Sequence, residues 1–115
     1  MAATISNDIG YINIADGVLA KLAGIAATEC MGVLGLAAAD GITDLLKKES
    51  LDRGVRVYSE NEKDTIRFEL NVIVKYGVSI LAVAENIIST VKYKVEDLSG
   101  LKVSAVDVTV RGIRL

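Results

Sequence analysis

At 115 residues and 12.2 kDa the chain is long enough to bury one core and too short for two domains of ordinary size. Hydrophobic residues make up 51% and charged residues 24%, a balance that excludes intrinsic disorder. Thirteen Lys and Arg against fifteen Asp and Glu give a net charge of −2, with no basic surplus to hold a polyanion.

The absences narrow the chemistry further. Without histidine there is no Ser-His-Asp or Cys-His catalysis and no His-ligated metal. The single cysteine, Cys30, forms neither an internal disulfide nor a thiolate cluster, as expected in a reducing compartment. The first residues show no basic segment followed by a long apolar one, so no signal peptide is expected. Apolar runs reach about five residues, against ~20 needed to span a bilayer. A soluble, cytoplasmic chain is the expectation.

In chain order, Gly10–Ile14 reads as a short strand with Ile12 and Ile14 on one face. Asp16 to Glu29 is predicted as an Ala-rich helix with an apolar stripe of Val18, Leu22, Ile25 and Cys30, flanked by Leu19 and Ala26, and Gly32 follows as its stop. Gly32–Leu36 is a short extended piece. Residues 37–52 read as a rim insertion, with a turn at Asp40-Gly41 and a short helix capped by Thr43 that carries Leu45 and Leu46. Arg53–Glu60 alternates, with Val55 and Val57 on one side and Arg56 and Tyr58 on the other. A polar turn at 61–64 then joins it in a hairpin to Thr65–Tyr76. In that second strand Ile66, Phe68, Leu70, Val72, Val74 and Tyr76 share a face opposite Arg67, Glu69, Asn71, Ile73 and Lys75. A slip of one residue would expose the whole apolar row. Ser79 is a candidate cap for a helix with the stripe Ile80, Ala84, Ile87, Val91, Val95 and Leu98, widened by Leu81 and Ile88 and stopped by Ser99-Gly100. Val106, Val108 and Val110 alternate with Asp107, Thr109 and Arg111 in a final strand. The expected architecture is an α+β two-layer sandwich over residues 1–115, in the order β-α-(β)-β-β-α-β. Its sheet is mostly antiparallel, with two amphipathic helices on one face. No proline blunts the sheet edges, which favours self-association.

No catalytic, cofactor or metal site emerges. Glu96 and Asp97 diverge by ~100° on a helix. Asp40 and Asp44 fit a solvated helix with Lys47 and Lys48 at its other end. Glu69 and Asp107 are expected as cross-strand neighbours on a surface of mixed sign. Cys30 reads as a small buried hydrophobe. Gly32-Val-Leu-Gly35 has the spacing of a KH backbone clamp, but Val33 and Leu34 call for burial rather than phosphate contact. A KH-like nucleic-acid module therefore stands as the alternative reading. Tyr58 alone, or with Tyr11, is too few for a stacking platform. Ile42, Leu45 and Leu46 with Lys47 and Lys48 pack on the rim more readily than they touch a membrane. A ligand site between helices and sheet would need converging polar groups, whereas the inward rows are aliphatic. What remains is surface. The candidate interaction residues are Arg56, Tyr58, Arg67, Glu69, Asn71, Lys75 and Arg111.

Several stretches together resemble the alkaline shock protein family of Gram-positive envelope stress-response proteins. They are Gly10-Tyr-Ile-Asn-Ile14 before the Ala-rich helix, Gly32-Val-Leu-Gly-Leu36, Val74-Lys-Tyr-Gly-Val-Ser-Ile80, and Val95-Glu-Asp-Leu-Ser-Gly-Leu101 leading into Val106–Ile113. The chain looks most like the family's short members, without the tail that longer ones carry. Ala15 stands where many relatives have a polar helix cap, which moves the expected helix start to Asp16. The resemblance implies a non-enzymatic role in cell-envelope homeostasis, self-assembly into homo-oligomers, and no cofactor. It also implies partners of two kinds: a membrane-anchor protein that would hold the chain at the inner face of the membrane, and a fatty-acid kinase related to dihydroxyacetone kinases, hence a link to lipid metabolism. It supplies no catalytic residues.

Overall fold

The computed structural model describes residues 3–38, 46, 48–60 and 64–115. The elements run β1 (Ala3–Ser6), β2 (Tyr11–Ile14), α1 (Asp16–Thr28), β3 (Val33–Leu36), a 3-10 helix (Lys48–Gly54), β4 (Val55–Ser59), β5 (Thr65–Lys75), α2 (Ile80–Ser99) and β6 (Lys102–Arg114). The turn at Asp40-Gly41 and the helix capped by Thr43 lie outside the described residues.

β5 organises the molecule because its alternation leaves one solution. Ile66, Phe68, Leu70, Val72 and Val74 are all at most 1% exposed on the helix side, and each such side chain contributes about 1.5–3 kcal/mol over leaving it in water. β4 pairs antiparallel with Ile66–Leu70 and β3 with Val72–Val74, so these two short strands lie end to end along one edge of β5. β6 runs along the other edge, parallel to β5 from Thr65↔Lys102 to Lys75↔Arg114. Parallel neighbours need a crossover, and α2 supplies it. The remaining described pairs are antiparallel. Ser104 and Arg111 have no partner across the β5–β6 ladder: the register steps from Val103 to Ala105 and from Val110 to Gly112.

Both helices cover the same side of this sheet. α1 packs against β3, β4, the 3-10 helix and α2, and α2 against β6. The face of α1 turned to the core is Leu19, Ala20, Ala23, Gly24, Ala26 and Ala27. Small residues allow close approach there: a Cβ on Gly24 would stand 3.2 Å from Leu36 Cδ1 and from Leu51 Cβ. The predicted stripe is corrected accordingly, because Val18 and Ile25 lie at the exposed margin and the alanines take the centre. Ala15 occupies the cap position without a side-chain bond, and the helix begins at Asp16.

On α2 the buried line is Val83, Ile87, Val91 and Val95, at strict i, i+4 spacing. Ile80, Leu81, Ile88 and Leu98 remain exposed, a second correction. Ser79 Oγ accepts from the Ala82 N–H at 3.2 Å, and Gly100, left-handed at φ 77°, closes the far end.

β1 is an element the sequence pattern did not announce. It pairs with β2 from Ala3↔Ile14 to Ser6↔Tyr11 as a separate two-stranded ribbon, with Ala3 and Ile5 packed on the core. Tyr76, expected on the apolar row, lies beyond the end of β5 and is 70% exposed.

Candidate functional site: the uncovered sheet face

The side of the sheet away from the helices carries the odd-numbered residues of β5 and their neighbours. Cross-strand register places Arg56 and Asp107 on either side of Glu69, and Tyr58 and Ala105 on either side of Arg67. Arg67 is the hub. Its Nη1 donates to Asp107 Oδ2 at 2.8 Å and lies 3.7 Å from Glu69 Oε1, while its Nε is 3.9 Å from Glu60 Oε1. The guanidinium carbon sits 4.4 Å above the centre of the Tyr58 ring, a cation–π stack. The Tyr58 hydroxyl donates to Glu69 Oε2 at 3.2 Å, and Ser104 Oγ to Glu60 Oε1 at 2.9 Å. Hydrogen bonding to Asp107, followed by the charges of Asp107, Glu69 and Glu60, raises the Arg67 pKa above its ordinary value against the opposing effect of burial. The guanidinium is thus fixed in orientation and permanently charged.

Asn71 is different in kind. It is only 5% exposed, and both ends of its amide are used: Nδ2 donates to the Gly54 carbonyl at 3.3 Å, and Oδ1 accepts from Arg111 Nε at 2.8 Å. It therefore ties the start of β4 to the Arg111 bulge of β6 and offers no contact of its own. Ile73 is fully buried on this same side, with Gly35 and Gly112 as its neighbours on the adjoining strands. Arg56, Lys75 and Arg111 are exposed, while Tyr58, Arg67 and Glu69 are half-buried in the network. The structure brings Tyr58, Arg67 and Glu69 into one cluster, and sets Asn71 and Arg111 as a separate pair. Lys75 lies at the end of the strand opposite Arg114.

Sequence pattern alone missed Glu60 and Ser104. Ser104 is legible in hindsight, since it interrupts the alternation between Val103 and Val106 where an extra residue is inserted.

Gly32–Gly35 leads into and through β3. Val33 is buried, the Gly32 carbonyl accepts from Lys75 N–H at 2.9 Å, and Gly35 faces Ile73 in the ladder. Cys30 is buried. Between α1, β3 and the 3-10 helix runs an apolar groove of about 240 Å³ lined by Ile25, Thr28, Leu34, Gly35, Leu46 and Leu51. Its one hydroxyl, on Thr28, donates back to the Ile25 carbonyl at 2.8 Å. Among the described residues no group of three or more Cys, Asp or Glu gathers as metal ligands, and no helix is long and apolar enough to cross a membrane.

Two helices on one side of a mixed sheet, with a cross-linked polar cluster on the other, define an α+β two-layer sandwich. The profile of the alkaline shock protein 23 family, described by a cell envelope-related function, matches residues 4–115. The chain belongs to that family. It is 39% identical over 119 residues to the uncharacterized protein YloU of Bacillus subtilis, covering 100% of this chain and 98% of that one. Identity to the uncharacterized protein Spy1614 of Streptococcus pyogenes is 35% over 119 residues, covering 100% and 97%. A second Bacillus subtilis protein, YqhY, is 28% identical over 92% of this chain and 78% of its own. Among solved structures the MamM-CTD aligns with 82% of this chain and 92% of its own at a TM-score of 0.49 and 14% identity.

Proposed function

We propose that this protein acts by binding rather than by turnover, as a self-associating interaction protein in the envelope stress response and homeostasis of its cell. One observation carries the reading: around Tyr58, Arg67 and Glu69 the sheet face opposite the helices is open to solvent, and its side chains are held in fixed positions by the Arg67 hub, with the Asn71–Arg111 pair beside it. Side chains already ordered lose little entropy when a partner docks. The family's cell-envelope-related function supports the same direction. A second copy of this chain is the first partner to test. The resemblance adds a membrane-anchor protein at the inner face of the membrane and a fatty-acid kinase as further partners, the latter linking the chain to lipid metabolism.

The test is size-exclusion chromatography with light scattering on the wild type and on Arg67→Glu, which inverts the charge at the hub. A concentration-dependent oligomer that Arg67→Glu dissociates is expected. A wild type that stays monomeric at high concentration removes self-association from the reading. An oligomer indifferent to Arg67→Glu places the contact elsewhere.

A further inference from the structure

β6 is 13 residues long and stands at an edge of the sheet. It pairs with β5 along one side from Lys102 to Arg114, and among the described residues no strand pairs with its other side. The opposite edge of the sheet is less open: it is split between β3 and β4, and the Leu36 carbonyl is taken by the Leu46 N–H at 2.8 Å. An open edge presents a row of backbone donors and acceptors that another strand matches in full. Devices that blunt such an edge are scarce in β6. It has no proline, and between the irregularities at Ser104 and Arg111 its one charged residue, Asp107, lies on the face away from the helices. The helix side of β6 is also unfinished. Val103 and Val106 are buried, whereas Val108 and Val110 are only half-buried and Ile113 is exposed. A strand laid along this edge would cover the margin that the helices leave.

We propose that the open edge of β6 is the contact between two copies of this chain, which pair β6 with β6 antiparallel about a two-fold axis at Thr109. The inference rests on the self-association reading and names its contact. Side-chain order along the strand selects both the occupant and the register. In a symmetric antiparallel pair centred on Thr109, Asp107 of each copy faces Arg111 of the other, and Val108 of each faces Val110 of the other. Centring on Asp107 or on Arg111 would set like charges face to face, and centring on Val108 would set Lys102 against Arg114. Opposite charges directly across two strands stabilise the pairing, and like charges weaken it. Both members of the charge pair are already oriented on the sheet face. Arg67 Nη1 donates to Asp107 Oδ2 at 2.8 Å, and Arg111 Nε donates to Asn71 Oδ1 at 2.8 Å. Among the described residues Asp107 Oδ1 and the terminal nitrogens of Arg111 have no other hydrogen bond, so they remain to meet across the axis. The strand is thus complementary to itself, as a two-fold contact requires.

Disulfide capture with light scattering is the experiment. Directly opposed residues of an antiparallel pair have Cα atoms about 4.5–5.5 Å apart, within the span of a disulfide. Thr109 is exposed, and the native Cys30 is buried. Mild oxidation with diamide should link the Thr109→Cys variant into dimers at least about tenfold faster than Arg56→Cys, which places its thiol at the opposite edge. In light scattering Arg111→Glu, which sets like charges across the axis twice, should weaken the wild-type oligomer about tenfold. Val110→Lys puts a charge on the helix side of the edge and should dissociate it. Thermal melts establish that each variant is folded, and Arg111→Glu, at an exposed side chain, decides the matter should Val110→Lys fail to fold. An oligomer in which Thr109→Cys links no faster than Arg56→Cys overturns the β6 pairing and leaves self-association standing. That is the outcome expected if another copy's β1–β2 ribbon, rather than its β6, adds to the edge. An oligomer that folded Arg111→Glu leaves unchanged overturns the pairing as well. A wild type that stays monomeric at high concentration, with no linkage of Thr109→Cys, removes the pairing and self-association together.

Discussion

Asn71→Ala isolates the one buried polar side chain of the described core. The substitution removes the Nδ2 bond to the Gly54 carbonyl, which is itself buried, and the Oδ1 bond to Arg111 Nε. The two losses are unequal. Arg111 is exposed and regains water, so its share is about 0.5 kcal/mol. The Gly54 carbonyl loses a partner that water cannot easily replace, at about 1–3 kcal/mol. With the small void left by the amide, Asn71→Ala should cost about 2–4 kcal/mol. Scaled for a chain of this size, that is a fall of roughly 8–16 °C in Tm. Arg111→Ala should cost under about 1 kcal/mol, since it leaves only Oδ1 to be rehydrated at the edge. The double variant should fall short of the sum, because both substitutions break the same bond. Urea denaturation followed by circular dichroism, with the m-value unchanged, measures all three. If Asn71→Ala lies within about 0.5 kcal/mol of the wild type, or Arg111→Ala costs as much as Asn71→Ala, the tie from β4 to β6 does not act as described.

Gly32→Ala should cost about 2–4 kcal/mol in the same assay, because Gly32 sits at φ 89° and a Cβ there would lie 2.7 Å from Val83 Cγ2. Gly100→Ala, at φ 77° with its nearest atom at 3.5 Å, should cost only about 1 kcal/mol, and equal losses would refute the packing argument. Ser79→Ala removes the cap on the Ala82 N–H and should lower stability by about 1 kcal/mol, with Ser79→Asp retaining most of it. The raised pKa of Arg67 makes its contribution whole below the unfolded value and lost only as pH rises through the folded one, both strongly alkaline. Denaturation midpoints across roughly pH 6–9 should therefore show no step that Arg67→Gln abolishes, and such a step would contradict the assignment. Fluorescence anisotropy with single-stranded RNA at low salt should show no saturable binding, since Gly32–Gly35 lies in and beside a paired strand and Glu60, Glu69 and Asp107 crowd the sheet face. Tight binding would revive the backbone-clamp reading.

The candidate site was legible as a set of outward positions and not as a network. Arg67 and Glu69 follow from alternation, and pairing Glu69 with Asp107 needed only the guess that β6 lies beside β5. Glu60 and Ser104 come into the cluster through a loop end and a bulge, where period-two reasoning stops. Asn71 reads as surface in the sequence because its neighbours Glu69 and Lys75 are charged. Its burial depends on Gly54 and Arg111, which are 17 and 40 residues away.

What the sequence determined by itself was local. The inward row of β5 and the caps at Ser79 and Gly100 follow from side-chain periodicity and from which backbone groups a nearby side chain or a left-handed glycine can satisfy. Tertiary structure decided the rest. How closely α1 approaches the sheet selected its alanines for the interior and left Val18 and Ile25 at the margin. The crossover through α2 made β6 parallel to β5 and brought its end to the same tip as Lys75 and Tyr76. A stripe of apolar residues states only that some face will be buried. How much of it is covered depends on the width and spacing of what lies opposite, and that is a property of the assembled layers.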